Sequence, residues 1–125
     1  MEFKKNSPLE AFIGKVLRIK PQRLLNKGLL FTKENLVHED RAVRAVKGEA
    51  HDELPKAAIS MENIHGKESM VITMTDGNHR MGVACLKDEE IDVYVEGIWI
   101  GKKRWGFNKI KHQLKSLLGQ ENDNL

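Results

Sequence analysis

Cysteine is nearly absent from this chain: Cys85 is the single one among 125 residues. One thiol cannot close an internal disulfide, so no cross-linked framework is available, and the composition fits a reducing compartment. Long apolar runs are missing too, and none approaches the roughly 20 residues that span a bilayer. The opening stretch MEFKKNSPLEAF lacks the apolar centre of a secretion signal. Repeats and low-complexity blocks are also absent. The expectation from these absences is a cytoplasmic protein with no membrane partner. Extreme charge is lacking as well, because the net charge is +3 and the pI about 9.0. That balance permits a polyanionic partner without requiring one. What is present, 40% hydrophobic and 31% charged residues, describes one domain with one modest core.

Read along the chain, residues 1–14 look like an irregular lead-in, residues 15–119 like the domain and residues 120–125 like a disordered tail. KVLRI (15–19) predicts a strand stopped by Pro21, and residues 26–28 a turn. A helix is expected from Thr32 as N-cap, with Leu36, Val43 and Val46 on one face, Arg41, Arg44 and Lys47 on the other, and Gly48 as its end. KAAISME (56–62) and SMVITMT (69–75) predict a hairpin with Gly66 near its tip. EIDVYVEGIWI (90–100) alternates as a strand should, and residues 108–118 form a helix capped by Asn108 and stopped by Gly119. Between the second hairpin strand and residue 90 lies one helix (78–87), whose Met81, Ala84 and Cys85 are expected to face the core. That β-α-β arrangement favours a parallel strand pair. The expected fold class is a small single-domain α/β or α+β fold with a mixed sheet and a C-terminal helix.

The segment between strand and helix is chemically dense: Asp76, Gly77, Asn78, His79 and Arg80 follow one another. The first amides of a helix have no intrahelical partner and carry partial positive charge. A glycine before them allows close approach, Arg80 offers a fork matched to phosphate oxygens, and His79 adds a donor that titrates near neutrality. Together they compose an anion site suited to phosphate. Asp76 would repel a bare phosphate and makes sense as a helix cap, a Mg2+ ligand or a general base. A purely structural turn, with Asp76 as cap and Arg80 as its ion-pair partner, accounts for the same residues; spacing alone leaves both open.

TDGNHRMGVACLKDEEIDVYV (75–95) resembles the signature segment of the ParB and sulfiredoxin-like superfamily, in which a strand ends in a D-G-x-H-R type turn before a helix and an Ile/Val strand. VLRIKPQRLL (16–25) is similar to that family's opening strand and exit. Less than half of the chain carries the likeness. It implies a compact fold whose turn and helix N-terminus bind nucleotide phosphates, with activities that differ by branch. ParB proteins bind and hydrolyse CTP, sulfiredoxins use ATP, one branch phosphorylates free serine, and several small members are described as nucleases. Carried over, Gly77, Asn78, His79 and Arg80 become phosphate-binding residues, Asp76 and His79 the catalytic candidates and Asp76 the metal ligand. The implied cofactors are Mg2+ and a nucleoside triphosphate.

Departures narrow the reading. Where sulfiredoxins carry a nucleophilic cysteine this chain has Asn78, and Cys85 falls on the apolar side of the helix, so sulfinic acid reduction is disfavoured. With one further helix after the motif strand, a complete partition protein is not expected. The serine-kinase branch needs a glutamate on an earlier helix, and nothing local selects among Glu34, Glu39 and Glu49. The HED at 38–40 and HDE at 51–53 lack metal-ligand spacing and read as polar surface. Positive charge gathers at residues 101–115, where Lys102, Lys103 and Arg104 can meet phosphates and Trp105 can stack on a base; a solvated basic face on a terminal helix, with Phe107 and Trp105 pinning it to the sheet, accounts for the same residues. That segment ranks DNA first as partner, with divalent-dependent nuclease activity. Nucleotide binding with hydrolysis or small-molecule phosphorylation ranks second, and a non-catalytic regulator third.

Overall fold

The computed structural model describes residues 8–49, 53–101 and 103–123. Residues 1–7 of the lead-in, His51 and Lys102 lie outside the described residues. The described residues begin with a 3₁₀ turn, Pro8–Phe12, within the stretch expected to be irregular lead-in. Leu9 in that turn is only 1% exposed, so the lead-in belongs to the core. Strand β1 (Val16–Ile19) follows, then helix α1 (Pro21–Asn26), strand β2 (Leu30–Thr32) and helix α2 (Glu39–Val46). The hairpin is β3 (Lys56–Ile64) and β4 (Lys67–Asp76), with Gly66 at φ 82° in its turn. Helix α3 (Asn78–Leu86), strand β5 (Ile91–Ile98) and helix α4 (Asn108–Asp123) complete the chain.

The protein is α+β: one mixed five-stranded sheet in the order β1-β5-β3-β4-β2, with the helices packed together on it. The expected parallel pairing across the β4-α3-β5 unit does not occur. Both edges of β4 are taken, one by β3 in the antiparallel hairpin and the other by β2 in parallel. The strand β5 therefore pairs with β3, in parallel, and runs opposite to β4.

Three other local expectations are corrected. Pro21 does end the strand, but it also starts α1, since proline is favoured at a first helical position where no N–H is needed. Thr32 is not a helix cap; it is the last residue of β2, and α2 begins only at Glu39, leaving Leu36 62% exposed. Gly119 does not stop α4, which continues to Asp123 across what was expected to be a disordered tail. One glycine costs a helix about 1 kcal/mol, too little to end a helix anchored by buried Ile110 and Leu114.

The core lies between the sheet and α3, which sits beneath α1, α2 and α4. Met81, Ala84 and Cys85 are buried there, as helical spacing implied. Gly82 lets α4 approach closely, because a Cβ at that position would fall 2.5 Å from Leu114 Cδ1. On β3 and β4, four consecutive residues are buried in each strand, so both faces are covered at their centre. The chain after β5 helps close the outer face. Arg104 pairs with Glu62 and lies over the Phe31 ring at 4.4 Å, while the Trp105 backbone bridges to Thr32.

Candidate functional site

Asp76 ends β4, Gly77 turns the chain and α3 starts at Asn78. The turn needs glycine for two reasons. Its φ is +82°, in the left-handed region, and a Cβ would stand 2.8 Å from Pro55 Cβ. The close neighbour of Gly77 is thus Pro55. The Asp76 carboxylate closes the turn by accepting the Gly77 N–H at 2.9 Å. The first α-helical bond of α3 runs from Met81 N–H to the Gly77 carbonyl at 3.0 Å. Among the described residues, the amides of Asn78, His79 and Arg80 find no acceptor.

Those amides open toward a cleft of about 500 Å³ between the start of α3 and the inner side of α2. The α3 side supplies Asp76, Gly77, Asn78, His79 and Arg80; the opposite wall supplies His38, Arg41 and Arg44, with Glu34 and Leu36 before them. Glu53 and Thr75 complete the lining, and the buried Thr75 hydroxyl has no hydrogen-bond partner among the described residues. The Arg80 Nη1 donates to the Glu53 carbonyl at 2.7 Å, which fixes one arm of the fork. Burial lowers the pKa of Arg80, opposed by Asp76 and Glu53, and a guanidinium remains cationic throughout. Arg44 is shared with Asp40 at 3.6 Å, whereas Arg41 makes no hydrogen bond or ion pair with another described residue.

His79 is 8% exposed. Its Nε2 accepts the backbone N–H of His38 at 3.4 Å, and the two rings meet edge-on with centroids 6.3 Å apart. Burial pushes its pKa below the ordinary value, helped by the neighbouring His38 and Arg41, with Asp40 pulling the other way. The neutral ring ties α3 to the segment leading into α2. Because the folded-state pKa is depressed, the unfolded chain takes up the proton first as pH falls. Stability is therefore full above the ordinary histidine range, declines on acidification through it, and levels off below the folded-state value. Urea unfolding at pH 7.5 and 5.5 is expected to show this loss in the parent and less of it in His79→Gln, whose amide oxygen still accepts the His38 N–H. Equal losses would assign the pH dependence to other groups.

The residues expected to meet nucleic acid are placed elsewhere. Lys103 is exposed and Trp105 is 43% exposed, but neither lines the cleft. Arg104 is turned to Glu62, whose carboxyl it holds below the usual range. Cys85 is buried, its thiol donating to Gln22 Oε1 at 3.0 Å, and burial pushes its pKa up. Among the described residues no group of three or more His, Cys, Asp or Glu is arranged to hold a metal ion. Sequence reasoning missed Arg41, Arg44 and His38 as cleft residues. Their charge pattern on one helix was visible, but nothing in the spacing shows that this side faces α3.

Fold and site thus define a small α+β protein with a polar cleft at a helix N-terminus, lined by three arginines and three carboxylates. No family model, curated protein or solved structure matches the chain.

Proposed function

We propose that the cleft binds a nucleotide through its phosphates. The observation that carries this is the set of unpaired amides at Asn78, His79 and Arg80, joined by the Arg80 guanidinium and faced by Arg41 and Arg44. Bare N–H groups at a helix start are ready-made anion ligands, and Arg41, Arg44 and Arg80 add positive charge that offsets the carboxylates of Glu34, Glu53 and Asp76 in the same lining. The resemblance of residues 75–95 to the ParB and sulfiredoxin-like superfamily supports the same use of this turn. The cleft's size suits a mononucleotide, since pockets for small ligands begin near about 300 Å³.

The geometry favours this over the DNA-acting reading. In the DNA reading Lys102, Lys103 and Arg104 extend the positive field along a nucleic-acid backbone, and Arg104 is instead paired with Glu62. Mg2+, when bound, would neutralise charge on the phosphates. Asp76, which lines the cleft with Glu34 and Glu53, would hold it, since magnesium commonly takes only one or two protein carboxylates alongside substrate phosphates. Asp76 has one oxygen committed to the Gly77 amide. No transfer step is assigned, because the cleft defines a phosphate cradle and not the acceptor.

The test is binding of ATP, CTP and ADP to the parent protein by calorimetry, with inorganic pyrophosphate as competitor. Saturable binding relieved by pyrophosphate is the expected result. A ligand at 100 times its Kd should add about 2.7 kcal/mol of stability, which a thermal shift will register. Failure of all three nucleotides, together with duplex binding that weakens steeply with salt, would return the reading to DNA.

A further inference from the structure

Thr32 is a buried hydroxyl residue, 0% exposed, where β2 ends; it does not line the cleft but bonds to two residues that do, Asn78 and Glu34. Its backbone is held on both sides by Trp105, through N–H to carbonyl bonds of 2.8 and 2.7 Å. That leaves the hydroxyl with a fixed origin. It accepts the Glu34 N–H at 3.3 Å and lies 2.8 Å from Asn78 Oδ1, closer than the 3.1 Å to the Glu34 carbonyl. Its one proton goes to Asn78.

We infer that Thr32 is a positioning residue of the cleft, turning the Asn78 side-chain amide so that its NH2 group meets a bound phosphate; this rests on the phosphate reading above. A primary amide has two ends of opposite sign, an acceptor oxygen and a donor nitrogen. Asn78 lines the cleft beside unpaired helix amides. Were its oxygen turned inward, it would set negative charge against the anion those amides attract. Donated to the Asn78 oxygen at 2.8 Å, the nearer of its two acceptors, the Thr32 hydroxyl proton favours that sense over the flipped amide. By accepting the Glu34 N–H, the same hydroxyl fixes the opposite wall relative to α3.

Thr32→Val keeps shape and burial while removing the hydroxyl, and Thr32→Ser keeps the hydroxyl. With pyrophosphate and ATP as probes, the serine variant is expected to bind within about threefold of the parent and the valine variant about tenfold more weakly, the scale of one hydrogen bond to a charged group. In amide-resolved NMR, pyrophosphate should shift the Asn78 side-chain NH2 signals in the parent and the serine variant, and much less in the valine variant. Parent-like affinity and parent-like Asn78 shifts in Thr32→Val would overturn the positioning role while leaving the cleft reading intact. Equal weakening in both variants would also overturn it, by tracing the loss to packing. No binding of either probe by the parent would remove both. Should Thr32→Val fail to fold, Thr32→Ala is read against Thr32→Ser in the same two measurements: weaker pyrophosphate binding with diminished Asn78 NH2 shifts is expected, and parent-like affinity and shifts would overturn the inference.

Discussion

Arg80→Ala should fold like the parent and lose between about tenfold and a hundredfold in nucleotide affinity. The range follows from a charge-assisted contact worth about 1.5–3 kcal/mol, at about 1.4 kcal/mol per decade. Arg80 stands at the first turn of α3, half-buried, with one Nη donating to the Glu53 carbonyl and the rest of the fork lining the cleft. Structurally it contributes that one side-chain hydrogen bond, whose loss costs about 1 kcal/mol, so the fold should survive. Arg80→Lys restores the charge but not the planar two-pronged geometry, and should recover only part of the affinity. Calorimetry beside urea unfolding separates the two effects. A variant that unfolds readily yet, when folded, binds as the parent does would make Arg80 a brace for the segment before β3 and not a ligand contact.

Gly77→Ala is expected to destabilise the protein by about 2–5 kcal/mol, a sum of two terms. An L-residue held at positive φ costs about 1–2 kcal/mol, and inserting a methyl into a packed site adds about 1–3 kcal/mol. Both apply here, because φ is +82° and the new Cβ would sit 2.8 Å from Pro55 Cβ and 3.0 Å from its Cα. Proline's ring cannot swing aside as a flexible side chain would. Gly119→Ala is the control. It lies within α4, carries no positive φ and has nothing within 4 Å of its built Cβ, so it should stabilise by about 1 kcal/mol. Denaturant unfolding of both variants makes the comparison. An unchanged midpoint for Gly77→Ala would mean that the turn relaxes into another conformation.

Most strands and helices were legible from local pattern. The hairpin, the motif helix and the Ile/Val strand each carry enough periodic residues to declare themselves. The shorter pieces were not. At six residues α1 is too brief to show a helical period, and β2 has only three residues, Leu30, Phe31 and Thr32. With Thr32 assigned to a helix that in fact starts seven residues later at Glu39, the whole segment before α2 was misread.

The candidate site divides along the same line. Local sequence determined the α3 half: a strand end, a glycine able to take positive φ, and a helix start with spare amides follow from Asp76, Gly77 and the residues after them. Each depends on backbone geometry over a few residues. The opposite wall is a tertiary product, since Arg41 and Arg44 meet Arg80 only because α2 packs against α3 on the same sheet. Tertiary structure likewise decided strand order, giving the free edge of β4 to β2 where chain order suggested β5. It also withdrew Arg104 from any ligand by pairing it with Glu62, 42 residues away in sequence. Contacts between distant segments depend on which apolar faces bury one another, and short-range spacing does not encode that choice.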